Sequence, residues 1–209
     1  LRGARLGWGV VGTFGDNLKK VARGMLGRSN FSLDQVGLLE KLGIYMNYNG
    51  YGSDLHDLHF TPTELYQLVV NYDDPLDFIS DSPEHFDKLE TGYHQDFAVV
   101  ESLQPLRAST ATAVYMLPDQ PWARRVSGVF SNDLTNHHPA RAHAVITEKP
   151  TGNYLVSVRA PLLNKQGANK LCSQFPSGGG REAAAGINDL PSDQLDRFID
   201  MFEQSFGTQ

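Results

Sequence analysis

Apolar positions in the first hundred residues recur at helical spacing. Val36, Leu38, Leu39, Leu42 and Tyr45 follow Ser32 and Gln35, a pair that predicts a capping box at a helix start. Thr61-Pro62-Thr63-Glu64 predicts a second start, with a cap, a proline at the first helical position and a Glu that reaches back. Leu65, Leu68 and Val69 form its buried stripe. A third helix is expected over residues 84–103, with Phe86, Leu89, Tyr93, Phe97 and Val100 on one face. No strand pattern occurs before about residue 108.

The second half alternates. Residues 111–117 read as a strand stopped by Pro118-Asp119, and residues 126–137 as a helix. Residues 142–147 and 154–159 read as two strands around the turn Lys149-Pro150-Thr151-Gly152-Asn153. Residues 164–175 are expected to be helical, followed by a glycine run, a short Ala/Ile strand and a last helix carrying Leu195, Phe198, Ile199, Phe202 and Phe206. Strands alternating with helices imply one sheet covered by helices. The expected class is therefore α/β, a helical N-terminal half followed by a small sheet, with the boundary near Gln104-Pro105.

Composition adds bounds. The 209 residues are 40% hydrophobic and 20% charged, ordinary for a globular chain with a packed core. At a net charge of -6, any grip on nucleic acid must come from a local basic patch. The lone cysteine, Cys172, excludes an internal disulfide framework and a thiolate-rich zinc site, and it suits a reducing cytoplasm. No apolar run approaches the roughly 18 residues of a membrane span. Because the chain opens at Leu1 without a Met, it is expected to be part of something longer.

The glycine run is the most informative stretch. Gly178, Gly179 and Gly180 let backbone N–H groups approach an anion, and Arg181 adds a planar fork suited to phosphate; a plain glycine turn is the alternative. Arg159 closes a strand and Arg124-Arg125 open a helix, so several arginines could end near the glycines in an acidic protein. Adjacent helix residues point apart, which leaves at least one of Arg124 and Arg125 to solvent. Asp54-Leu55-His56-Asp57-Leu58-His59 imitates a metal cluster, with local hydrogen bonding as its alternative. In the loop expected at Asn47–Gly52, Tyr48 or Tyr51 could stack a base. Asn136-His137-His138 ends a helix, where histidines cap the last carbonyls, and His85, His94 and His143 stand alone in packing or surface roles.

Ser157-Val158-Arg159 followed by Gly178-Gly179-Gly180-Arg181-Glu182-Ala183-Ala184-Ala185-Gly186 resembles the DHH-associated domain of DHH-family phosphoesterases, whose pattern is an S-x-R strand and then G-G-G-H-x-x-A-A-G. Trp122-Ala123-Arg124-Arg125-Val126-Ser127-Gly128-Val129 resembles the helix-opening segment of exonuclease members of that family. The likeness covers roughly residues 108–206. It implies substrate binding by Arg159, Gly178, Gly179, Gly180, Arg181, Arg124 and Ser127. The family's His is Arg181 here, which favours clamping a phosphate over proton transfer. Val11-Gly12-Thr13-Phe14-Gly15-Asp16-Asn17 resembles the segment carrying the family's last metal-binding Asp, so Asp16 is the implied ligand, expected at a helix start on the rim of a core; a plain cap is its alternative.

The resemblance thus divides the chain into residues 1–104, a helical remnant of the catalytic domain plus connector, and residues 105–209, the substrate-binding domain. It implies a longer protein that hydrolyses a phosphate ester of a nucleotide or short single-stranded nucleic acid with two divalent metals, usually manganese, and it leaves a homodimer open. The family's D-x-D and D-H-H motifs do not occur in this sequence, so the chain alone is expected to be inactive. Two other classes compete: a module that holds nucleotide without chemistry, and an acyl-coenzyme A transferase in which Gln174 and the glycines imitate a pyrophosphate loop. The latter needs a strand before its loop and a helix after it.

Overall fold

The computed structural model describes residues 5–27 and 30–207, which form two units that divide between Ala98 and Val99. The described elements of the first unit are all helical: α1 (Arg5–Gly15), α2 (Lys19–Leu26), α3 (Leu33–Tyr48), α4 (Pro62–Val69), α5 (Pro75–Asp81) and α6 (Pro83–Glu101), the last running into the second unit. Both expected capping boxes form. Ser32 accepts from Gln35 N while the Gln35 side chain takes Ser32 N, and Thr61 and Glu64 do the same ahead of Pro62. Those bonds from Thr61 hold the Glu64 carboxyl below its ordinary value. Asp74 starts α5 by accepting from Leu76 N, with Pro75 in the first turn, a helix the apolar spacing does not reveal.

The apolar run at residues 8–14 is the body of α1, so Asp16 follows that helix and does not open one. The glycines explain the difference. A Cβ on Gly43 would lie 2.2 Å from Val11 O, and one on Gly15 would lie 2.9 Å from Gly43 O, so α1 and α3 pack backbone against backbone. Val10, Val11 and Phe14 then reach Leu39, Leu42, Tyr45, Phe78 and Leu89 in the core of this unit.

The second unit is a mixed sheet with helices on both faces. Its elements are β1 (Arg107–Ala108), β2 (Thr112–Leu117), α7 (Pro121–His137), β3 (Ala142–Glu148), β4 (Tyr154–Arg159), α8 (Ala168–Cys172), β5 (Gly178–Arg181), β6 (Ala184–Leu190) and α9 (Leu195–Phe206). The strand order is β1-β2-β3-β4-β6-β5. Among the described strands only β2 and β3 pair in parallel, and α7 is the crossover that parallel pairing requires. α7 begins at Pro121, five residues before the apolar pattern suggests, because proline is pre-set for a first helical turn. One face packs Val114, Ala144, Ile146, Val156, Val158, Ala185 and Ile187 against Phe198, Ile199 and Phe202 of α9 and Leu171 of α8. The other carries α7 over β3 and β4.

Two expectations fail here. The helix foreseen at residues 164–175 shrinks to α8, because Gly167 at its head has φ of 98°, and a Cβ there would meet the Phe206 ring. The glycine run is not a loop. It is strand β5, the edge of the sheet, paired with β6 from Gly178↔Ile187 to Arg181↔Ala184. The strand runs so close to α8 that a Cβ on Gly178 would lie 1.9 Å from Cys172 O, whereas one on Gly179 would meet nothing within 4 Å. Gly178→Ala is therefore expected to destabilise the chain by about 1–3 kcal/mol in urea unfolding, and Gly179→Ala by less than about 0.5 kcal/mol. Equal effects of the two substitutions would contradict this packing.

Candidate functional site

The register of β6 brings the two predicted arginines together. Ala184 pairs with Arg159 on one side and with Arg181 on the other. Directly opposed residues project from the same face of a sheet, so both guanidinium groups leave one face, from strands about 9–10 Å apart. Two residues along, Ser157, Gly186 and Gly179 form the next row on that face. α7 stands over β3 and β4 as a wall: Ser131 Oγ lies 3.4 Å from Ser157 Oγ, and Asn132 Oδ1 accepts from Arg159 Nε at 3.2 Å. Beside that wall, Gly186, Gly179 and Ala184 make a floor almost without side chains, with Arg159 and Arg181 along one end.

The two arginines are held differently. Arg159 Nη1 also donates to Ser157 Oγ at 2.9 Å, which fixes its fork in place. Arg181 is exposed and makes no side-chain hydrogen bond or ion pair with the described residues. One arm is set, the other is free to move.

The glycine amides do not form the expected nest. Successive N–H groups of a strand alternate in direction, and the neighbouring bonds Asn188 N→Ser177 O and Ala160 N→Ala183 O fix the alternation. Gly179 then turns its N–H to β6. Gly178 gives its N–H to Phe175 O at 3.1 Å, and Gly180 alone points outward from the sheet edge. With α8 before β5 and a hairpin after it, the strand–loop–helix order of an acyltransferase pyrophosphate loop is not met.

Arg124 stands apart from this cluster, and Ser127 lies one turn of α7 from Ser131. The Arg124 guanidinium is paired with the Asp119 carboxylate, and Ser127 Oγ donates to Arg124 O at 3.0 Å within its own helix. Eight residues of α7 separate Arg124 from Asn132, about 12 Å along the axis. Asp16, in the first unit, is exposed just past the C-terminal end of α1. That end carries partial negative charge and suits a cation, but among the described residues no three His, Cys, Asp or Glu side chains gather closely enough to hold a metal.

The other candidates of the first unit are absorbed locally. Asp57 accepts from Ser53 N and Asp54 N, His56 projects fully into solvent, and His59 Nε2 lies 2.8 Å from Tyr48 OH. Tyr48 is the last residue of α3 and wholly buried, with its hydroxyl donating to Asp96, so it offers no face to a base. His137 does reach the carbonyl of Asp133, as a helix-ending histidine should.

Sequence reading missed two members of the site's surroundings. Asn132, which orients Arg159, carried no signal beyond its helical position. His143 did: strand alternation with Val145 puts it on the α7 face, directly across from Arg159. It is 1% exposed and its ring makes no well-formed hydrogen bond, only a weak one to the Arg141 backbone. Burial pushes its pKa down to about 4, aided by the positive charges of His138 and Arg141, with the Arg141 backbone opposing weakly.

No known protein family matches the chain, and no curated protein matches it. Among solved structures it is similar to the pGpG-specific phosphodiesterase PggH from Vibrio cholerae, at 13% identity and a TM-score of 0.41, over 94% of this chain and 58% of that one. It is also similar to an exopolyphosphatase-related protein from Bacteroides fragilis, at 15% identity and a TM-score of 0.42, over 89% of this chain and 54% of that one. The chain thus spans a little over half the length of each.

The unfolded chain protonates His143 near 6.5, while the native fold resists until about 4. Stability is therefore full above about pH 6.5 and falls as the pH drops toward 4. His143→Gln is expected to shrink the loss of melting temperature between pH 7 and pH 5, by about 4 °C or more. An unchanged pH slope in that variant would place the titration elsewhere.

Proposed function

We propose that the second unit grips a phosphate group of a nucleotide or short single-stranded nucleic acid, as the substrate-holding part of a longer phosphoesterase. The observation that carries this reading is the single row Arg159–Ala184–Arg181 on an open sheet face beside a glycine floor. Arg159, held at Nε and Nη1 by Asn132, Ser157 and Val158 O, presents a pre-set guanidinium charge to the phosphate. Arg181 closes from the edge strand, and its permanent charge suits clamping over proton exchange. The bare floor at Gly179 and Gly186 lets a sugar or base approach the backbone closely. The residue pattern shared with DHH-family phosphoesterases supports the same reading and extends it to hydrolysis of a phosphate ester.

The metals of that chemistry, manganese by family habit, find one implied ligand here, Asp16. A single exposed carboxylate does not assemble a two-metal site. The reading therefore gives this chain the hold on phosphate and no part of the bond-breaking step.

Calorimetry with a 5′-phosphorylated dinucleotide and its unphosphorylated twin tests the grip. Arg159→Ala is expected to weaken the phosphorylated ligand about tenfold or more, and Arg181→Ala about threefold to tenfold, while Arg124→Ala changes little. Equal binding of the two ligands, or indifference to Arg159→Ala, would sink the reading. The 209-residue chain with manganese is expected to leave a generic phosphodiester uncut, and turnover there would overturn its assignment as a holding part alone.

A further inference from the structure

Two residues at the start of β3 carry buried polar atoms that are poorly satisfied. His143 makes no well-formed hydrogen bond, its one weak partner being the Arg141 backbone, and Arg141 Nε is buried and unbonded. The Arg141 side chain makes no ion pair with the described residues. Strand alternation sends His143 to the face that carries α7, and Arg141 stands in the bend that leads into β3. Tyr115 of β2 is on that face as well, paired with Val145 and lying edge-on to Phe130 of α7. The charge of Arg141 acts on both Tyr115 and His143, and the His138 ring lies 6.1 Å from that of His143.

The sign of this cluster is uniform. The charged groups that act on His143 are His138 and Arg141, both basic, with no carboxylate among them. A guanidinium N–H buried without an acceptor is unfavourable, and so is a buried imidazole with only one weak partner. A negative group would answer both. Three donors arriving from β2, the head of β3 and β3 itself suit a tetrahedral oxyanion better than a planar carboxylate. In the strand order this cluster lies on the β2 side of His143, whereas Arg159 lies on its β4 side.

We propose that Arg141, His143 and Tyr115 form an anion site, distinct from Arg159 and Arg181, that takes a phosphate group through the Arg141 guanidinium, a ring N–H of His143 and the Tyr115 hydroxyl. The phosphate is either free or the terminal group of a nucleotide, since the cluster recognises only the oxyanion.

Titration with inorganic phosphate, followed by NMR of the His143 ring and the Arg141 Nε–H, tests this, with a nucleoside 5′-monophosphate as a second arm. Saturable shifts of both signals are expected, and they should persist in the double variant Arg159→Ala, Arg181→Ala. Arg141→Gln is expected to weaken phosphate about tenfold, and Tyr115→Phe about threefold, with the melting temperature of each as a folding check. If Arg141→Gln does not fold, Tyr115→Phe decides. Phosphate and nucleotide acting alike supports the site. Absence of a saturable shift, a response to the nucleotide alone, or loss of the response in the double variant overturns it. Loss of dinucleotide binding in the double variant with the His143 response intact supports both sites as separate, whereas dinucleotide binding unaffected there removes the function proposed above and leaves this one standing.

Discussion

β6 lies between β4 and β5, and its register against both decides what the open face of the sheet presents. A slip of one residue would send Arg159 and Arg181 to opposite faces, because side chains alternate along a strand. Three contacts hold the register. Ala185 and Ile187 are buried on the α8–α9 face, which commits Ala184 and Gly186 to the other. Gly178 is pressed against the last turn of α8, where no side chain fits. Gly180, at φ of 146°, passes so close to Ala185 that a Cβ would lie 2.6 Å from its Cα. The glycines therefore serve the fold before they serve a ligand. They let an edge strand approach a helix and leave a flat floor as the result.

Much of this architecture was legible in the sequence, and what was not has identifiable causes. Strands β3 and β4 and helix α9 announce themselves by period, and the caps at Ser32 and Thr61 by side-chain chemistry. The two arginines could be named from motif spacing, but their meeting could not, since it depends on which strand lies between them. β5 was illegible as a strand because glycines carry no hydrophobic alternation. α8 was overestimated because the left-handed turn at Gly167 has no apolar signature. Tyr48 looked like part of a loop since an Asn-Tyr-Asn-Gly string reads as a turn, yet α3 continues through it and buries the ring. Asp16 falls past the end of its helix, although a glycine-rich apolar run reads as the lead into one.

The first unit obeys the same economy with different means. Helices α1 and α3 touch through Gly15 and Gly43, and the polar groups that such close packing traps find partners among themselves. Tyr48 is shared between Asp96 and His59, and Asn49 takes the backbone of His59 and Phe60 while giving to Phe60 O. Buried polar networks of this kind are stabilising only when complete. The contrast with Arg141 and His143 is what makes the second unit's incomplete pair informative.

Under the phosphate grip proposed above, the unequal restraint of Arg159 and Arg181 would give the open sheet face a gauge with one fixed jaw. An arm braced by Asn132 and Ser157 locates its first oxyanion with little further loss of freedom. An unbraced arm surrenders about 2 kcal/mol of rotamer entropy when it closes, but its long stem sweeps over a range of distances. Such a device reads position sharply at one point and length loosely at the next, so it would accept a family of related phosphate esters that share one end.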